Sequence, residues 1–168
     1  MEIRIASTIQ DSIVDGPGLR YVIFTQGCPH RCEGCHNPDT HDFSGGSITD
    51  TDELFSECIE NPLTGGVTFS GGEPFCQAEA LSGLAERFKE RGLHLMAYSG
   101  WTYEELLQKG ESEPYVKKLL SLMDILVDGR FELSKRSLML KYRGSENQRL
   151  IDVQRSLAEG KAVLAENI

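Results

Sequence analysis

Arg20-Tyr-Val-Ile-Phe-Thr-Gln-Gly-Cys28-Pro-His-Arg-Cys32-Glu-Gly-Cys35-His36-Asn37-Pro38 is a run of β-formers that empties into three closely spaced cysteines. Residues Arg20 to Gln26 read as the first core strand, and the C-x3-C-x2-C array follows it directly. Three thiolates are one fewer than a closed iron-sulfur cluster or a closed tetrahedral zinc site requires. A cubane held by three cysteines leaves one iron free for another ligand. Zinc could instead recruit His30 or His36 as a fourth ligand, so spacing alone leaves both metals open.

Outward from this stretch, strands and helices alternate. Asp50-Thr-Asp-Glu53 has capping-box spacing, followed by Leu54, Phe55, Cys58 and Ile59 at helical period. Val67 to Ser70 is a short strand that stops at Gly71-Gly72-Glu73-Pro74. Gln77 to Arg91 is an amphipathic helix ended by Gly92, and Leu93 to Tyr98 returns as strand. Tyr103 to Lys109 and Pro114 to Leu122 read as helices, with Asp124 to Asp128 as a further strand. The tail is expected to form a strand at Arg149 to Val153, a helix at Gln154 to Glu159 capped by Gly160, and a last strand at Ala162 to Ala165.

Parallel strands need crossovers, for which a helix is the usual form. A full eight-unit barrel takes about 250 residues. The 168 residues here supply about five or six units, which predicts an α/β open partial (β/α) barrel in a single domain, 1–168. The cysteine loop, the Gly-Gly-Glu-Pro turn, Ser99-Gly100-Trp101 and Asp128-Gly129 all fall at strand C-terminal ends, where parallel α/β folds carry their sites.

Hydrophobic residues make up 39% of the chain and charged ones 26%, and no apolar run approaches the ~20 residues of a membrane span. Met1-Glu2-Ile3-Arg4 does not resemble a signal peptide, so a cytoplasmic protein is expected. Five cysteines in a reducing compartment argue against disulfides, and Cys58 and Cys76 read as small buried hydrophobes. A formal charge of −9 argues against nucleic acid as a partner. A basic cluster at Lys135, Arg136, Lys141, Arg143 and Arg149 reads as a solvated face or a contact for an acidic group.

Glycines without Cβ let a ligand approach the backbone, so Gly71 and Gly72 are candidates to meet a cationic amine, with Glu73 adding a carboxylate. Ser99 and Asp128 end strands on the same face. Either is a candidate cofactor contact or a cap on the segment that follows. Trp101 reads as core or partner contact.

The cysteine array followed by Gly-Gly-Glu-Pro resembles the radical S-adenosylmethionine enzymes, whose [4Fe-4S] cluster binds the methionine amine and carboxylate of the cofactor through its open iron. Asp15-Gly16-Pro17-Gly18-Leu19-Arg20, Phe24, Gly27-Cys28, Cys32 and Cys35-His36-Asn37-Pro38 together look like the signature of the activating enzymes that install a glycyl radical in a partner protein. The chain length, Gly34, and the segments Leu126 to Phe131 and Arg143 to Arg149 are similar to the subgroup that activates the anaerobic (class III) ribonucleoside-triphosphate reductase. The alternative is an activator of another glycyl-radical enzyme such as pyruvate formate-lyase. A non-catalytic metal-binding or electron-transfer module is the remaining reading.

The resemblance implies Cys28, Cys32 and Cys35 as cluster ligands, with Gly34, His36 and Asn37 lining S-adenosylmethionine beside them. Gly34 stands where many such enzymes carry an aromatic over the adenine, a role His36 would partly take. Asp15 to Gly18 would shape the entrance, with Arg20 offering its charge to a carboxylate or phosphate. The implied reaction is reductive cleavage of the cofactor to a 5′-deoxyadenosyl radical, which takes a hydrogen from a partner glycine. It also implies the reductase large subunit as partner and a low-potential electron donor such as flavodoxin or ferredoxin.

Overall fold

In the computed structural model, which describes residues 1–166 and 168, strand β1 (Glu2–Ser12) opens the chain ahead of β2 (Arg20–Thr25). The seven residues between them are too few for a crossover, so β2 turns back antiparallel to β1. Strand β3 (Ser47–Asp50) adds to the outer edge of β1, also antiparallel. Neither β1 nor β3 was expected, although Ile3, Ile5 and Ile9 carry the period-2 signal; most of β1 is exposed, which dilutes its apolar character.

From β2 onward each crossover contains helix. Helix α1 (Thr51–Ile59) leads to β4 (Gly66–Gly71), and α2 (Ala78–Glu90) leads to β5 (His94–Tyr98). The pair α3 (Tyr103–Gly110) and α4 (Pro114–Leu122) leads to β6 (Ile125–Asp128). Strands β2, β4, β5 and β6 are therefore parallel neighbours. Strand β7 (Arg149–Asp152) returns without a crossover helix and pairs antiparallel with β6, before α5 (Val153–Glu159).

The open sheet runs β3-β1-β2-β4-β5-β6-β7, so the α/β partial barrel stands. Its parallel part holds four strands rather than five or six, because only three connections are long and helical enough to cross over. The expected strand at Ala162 to Ala165 reduces to a single bridge from Leu164 to Ile151.

Local signals acted mostly as read. Gly92 and Gly160 adopt left-handed φ of 76° and 72° after α2 and α5. Asp50 caps α1 through Asp52 N, but the capping box does not close, because Glu53 instead accepts from the Thr49 hydroxyl at 2.8 Å.

Strand alternation gives the sheet two different faces. Tyr21, Ile23, Val67, Phe69, Leu95, Ala97 and Leu126 face α2, α3 and α4 in one core that also holds Cys58. The other face carries Arg20 and Phe24 of β2, Thr68 and Ser70 of β4, and Met96 and Tyr98 of β5. That second face holds the site.

Candidate cluster and cofactor site

The cysteine loop is closed at its base before any metal is considered. Gly27, at φ 103°, turns the chain out of β2, and its N–H donates to Thr40 O at 2.7 Å, while Cys28 N donates to His41 O at 3.1 Å. Gln26 ties the same base by donating to the carbonyls of Asp39 and Asp42. Left-handed Arg31 (φ 51°) and Gly34 (φ 75°) curl the chain between the cysteines, and Asn37 N points at Cys35 Sγ at 3.4 Å.

All three thiols are free; Cys28 is buried, Cys32 and Cys35 are half-buried. Burial pushes the Cys28 thiol up, so a thiolate there needs a cation to compensate it. Among the described residues no three His, Cys, Asp or Glu side chains gather around a point as a single ion requires. A four-iron cube binds each thiolate at a separate iron and spaces its ligands more widely. Three thiols on one loop suit the three protein-held irons of such a cube, and His30, a candidate fourth ligand for zinc, directs Nε2 to Glu73.

The glycine pair of the second loop serves backbone packing. A Cβ on Gly71, at φ 87°, would lie 2.6 Å from Thr25 N, and one on Gly72 would lie 2.5 Å from Gly27 O. These approaches let Gly72 N reach Thr25 O at 2.7 Å and Glu73 N reach Gly27 O at 2.8 Å, stitching the turn to the root of the cysteine loop.

Three expected cofactor contacts turn inward instead. Glu73 is fully buried, and its carboxylate accepts from Ser99 Oγ (2.9 Å), Gly100 N (2.8 Å), Phe75 N (3.1 Å) and His30 Nε2 (2.7 Å). With its lone pairs so engaged it is not free for an amine. Ser99 is correspondingly occupied, donating to Glu73 and accepting from Trp101 N. Asp128 accepts from Tyr103 N at 2.7 Å, the first amide of α3, whose N-cap is Thr102, and from the Arg149 guanidinium.

Arg20 is likewise structural. Its fully buried guanidinium donates to Thr68 Oγ1 and to the carbonyls of Pro17, Val67 and His94, and burial lowers it to about 10. Gly16 leaves room for it: a Cβ there would sit 2.8 Å from Arg20 Cδ. Cys76, expected to be buried, is exposed.

A cavity of about 490 Å³ opens on this face of the sheet, within the size range of small-molecule sites. Cys35, His36 and Asn37 form one wall, while Phe24, Ser70, Gly71 and Tyr98 form its floor. Cys28, Cys32, Gly34, Gly72, Glu73, Ser99 and Asp128 are not on its surface. Of the Asp15 to Gly18 turn expected to shape the entrance only Asp15 lines the cavity, beside Val14.

The third wall went unread in the sequence. Phe131, Arg136, Tyr142 and Arg143 come from the long return between β6 and β7. The basic cluster was the available signal; Arg136 and Arg143 join the cavity, whereas Arg149 pairs with Asp128 and Glu104. Tyr142 sits at φ 64°, strained for a side chain with a Cβ, and its carbonyl accepts from Tyr98 OH at 2.6 Å. Leu133 and Phe131 fill the place that Gly34 leaves open. A Cβ on Gly34 would meet Leu133 at 2.9 Å and Phe131 at 3.4 Å, and the Phe131 ring stands edge-on to His36 at 5.2 Å.

Residues 14–151 match the family model described as a 4Fe-4S single cluster domain. The chain belongs to that family. A single-cluster 4Fe-4S protein uses one [4Fe-4S] group, and Cys28, Cys32 and Cys35 are the clustered thiols among the described residues.

Relatives of this 4Fe-4S protein include the pyruvate formate-lyase-activating enzyme of Clostridium pasteurianum, 41% identical over 114 residues, covering 62% of this chain and 48% of that one. That of Staphylococcus aureus (strain USA300) is 49% identical over 87 residues, covering 48% and 35%. The chain thus spans half or less of the curated relatives it matches. The crystal structure of QueE from Escherichia coli superposes with a TM-score of 0.51 at 19% identity, over 61% of this chain and 54% of that one. This likeness concerns the fold. No helix among the described residues is long and apolar enough to cross a membrane.

Proposed function

We propose that this chain is a radical S-adenosylmethionine enzyme that activates a glycyl-radical enzyme. The observation that carries the reading is the cavity on which the third cysteine, His36 and Asn37 converge with Gly71, at the C-terminal ends of β2 and β4. Cys28, Cys32 and Cys35 hold the cluster, and S-adenosylmethionine occupies the cavity beside Cys35. Held by these cysteines, a reduced cluster would supply the electron for reductive cleavage of S-adenosylmethionine, the chemistry from which hydrogen abstraction at a partner glycine would follow.

The chain's own part is to bind, orient and exclude water. Phe24, Tyr98 and Phe131 give the cavity apolar surface, and Arg136 and Arg143 provide positive charge for a carboxylate. A cytoplasmic setting and a flavodoxin or ferredoxin donor go with this reading.

The names of the relatives favour pyruvate formate-lyase as the partner over the anaerobic ribonucleotide reductase. One observation supports the reductase as a second reading. The two late segments similar to its activators, Leu126 to Phe131 and Arg143 to Arg149, supply Phe131, Arg143, Gly144 and Gln148 to the cavity wall.

The test is anaerobic reconstitution followed by parallel assays with each partner, S-adenosylmethionine and a reductant. About four irons and four sulfides per chain are expected, with a glycyl radical signal in one partner. One zinc without sulfide would overturn the proposal, and a radical signal confined to the reductase would reverse the choice of partner. Cys32→Ala should abolish cofactor cleavage and Cys58→Ala should not.

A further inference from the structure

His30 lies between two cluster cysteines, yet its side chain leaves the loop. It is only 4% exposed, and Nε2 reaches Glu73 Oε1 at 2.7 Å. The ring meets Trp101 edge-on, with centroids 4.7 Å apart. Gly100 makes the seat, because a Cβ there would lie 2.3 Å from His30 Cδ2. A histidine, a glycine and a tryptophan from two strand-end loops thus interlock around one buried carboxylate.

That carboxylate does not depend on the histidine. Ser99 Oγ, Gly100 N and Phe75 N hold it from the other side, so Glu73 is anchored to the ends of β4 and β5 in any event. The cysteine segment is anchored far less. Among the described residues, His30 makes the one side-chain hydrogen bond that leaves Pro29–Gly34. Its neighbours Arg31 and Gly34 hold left-handed conformations that need outside support in the case of arginine.

We infer that His30 is a positioning residue that fastens the cysteine loop to the anchored Glu73 carboxylate and so holds the three-thiolate seat in shape. Glu73 accordingly acts on the cluster loop, through His30, and not on the cofactor amine. The inference rests on the reading of Cys28, Cys32 and Cys35 as cluster ligands.

The test compares reconstituted wild type, His30→Ala and His30→Gln, following iron loss to an iron(II) chelator under anaerobic conditions, with the unfolding midpoint of the metal-free chain as reference. His30→Ala should release iron at least about tenfold faster, the scale of one hydrogen bond to a charged group. The glutamine amide can still donate to Glu73, so His30→Gln should stay within about threefold of wild type. Wild-type release from His30→Ala overturns the inference, as does acceleration in both variants that merely mirrors a fall in the metal-free midpoint. If His30→Ala does not fold, Gly100→Ala carries the same test, because its methyl displaces the ring: rapid release supports the tether and wild-type release overturns it. A wild type that takes up no iron and sulfide defeats the cluster reading itself, an outcome distinct from a cluster that forms and is indifferent to His30.

Discussion

Replacing Asp128 with alanine removes an acceptor that two elements share. The carboxylate is 1% exposed and accepts from Tyr103 N at the head of α3 and from Arg149 on β7. Leaving the buried Tyr103 N–H without an acceptor costs about 1 kcal/mol. Breaking a fully buried ion pair costs about 3–5 kcal/mol. Here the Arg149 side chain is 33% exposed and keeps Glu104, so solvent and the second partner reduce that part to about 1–2 kcal/mol. The sum for Asp128→Ala is about 2–3 kcal/mol, or a fall in Tm of roughly 4–12 °C for a chain of this size. Asp128→Asn retains an acceptor for Tyr103 N and should lose only the pair. Urea unfolding of the metal-free chain measures the stability, and equilibrium binding of S-adenosylhomocysteine to the reconstituted chain measures the cavity. A stability loss under about 0.5 kcal/mol together with a tenfold loss of binding would refute the reasoning, because Asp128 would then be a cofactor contact.

Gly71→Ala should disrupt the turn between β4 and α2, since its Cβ would meet backbone atoms of Phe24 and Thr25 in a left-handed conformation. A loss of at least about 2 kcal/mol in urea unfolding, with weaker S-adenosylhomocysteine binding, is expected; wild-type values for both would mean the turn has slack. His94 gives a pH dependence. Burial, then the charge of Arg20, lowers its pKa below 6.5, and its Nδ1 has no partner among the described residues, with Asp124 and Lys89 also nearby. The unfolded chain therefore takes up this proton first as pH falls. The His94 contribution is complete above pH 6.5 and is lost on acidification through 6.5 toward the lowered value. The urea midpoint should fall less over that window in His94→Gln, and an identical fall in the two proteins would assign the dependence to other groups.

Much of this protein was legible because its signals are local. A glycine past a helix end, a proline at the first turn of α4 and a run of β-formers each act within a few residues, and the corresponding elements lie where they were expected. The three cysteines, too, announce a metal centre by type and spacing alone, and the 4Fe-4S family match agrees. Strand order was less accessible. The antiparallel strands β1, β3 and β7 follow from connections without a crossover helix, and β1 is too exposed to look like a strand of the core.

Side-chain destination at the strand ends could be decided only in three dimensions. Glu73, Ser99, Asp128 and Arg20 all have the chemistry of ligand-binding groups and all stand at or near the right ends of the right strands. Each is instead consumed by a donor or acceptor from an element distant in sequence, because a buried polar group takes whichever partner the packing supplies. Conversely, Phe131 and Arg143 reach the cavity from a return loop with no periodic signal, and Gly34 makes space for that loop rather than for an aromatic of its own. Sequence determined which atoms can hold a cluster; tertiary structure decided which of the surrounding groups remain free to meet what the cluster binds.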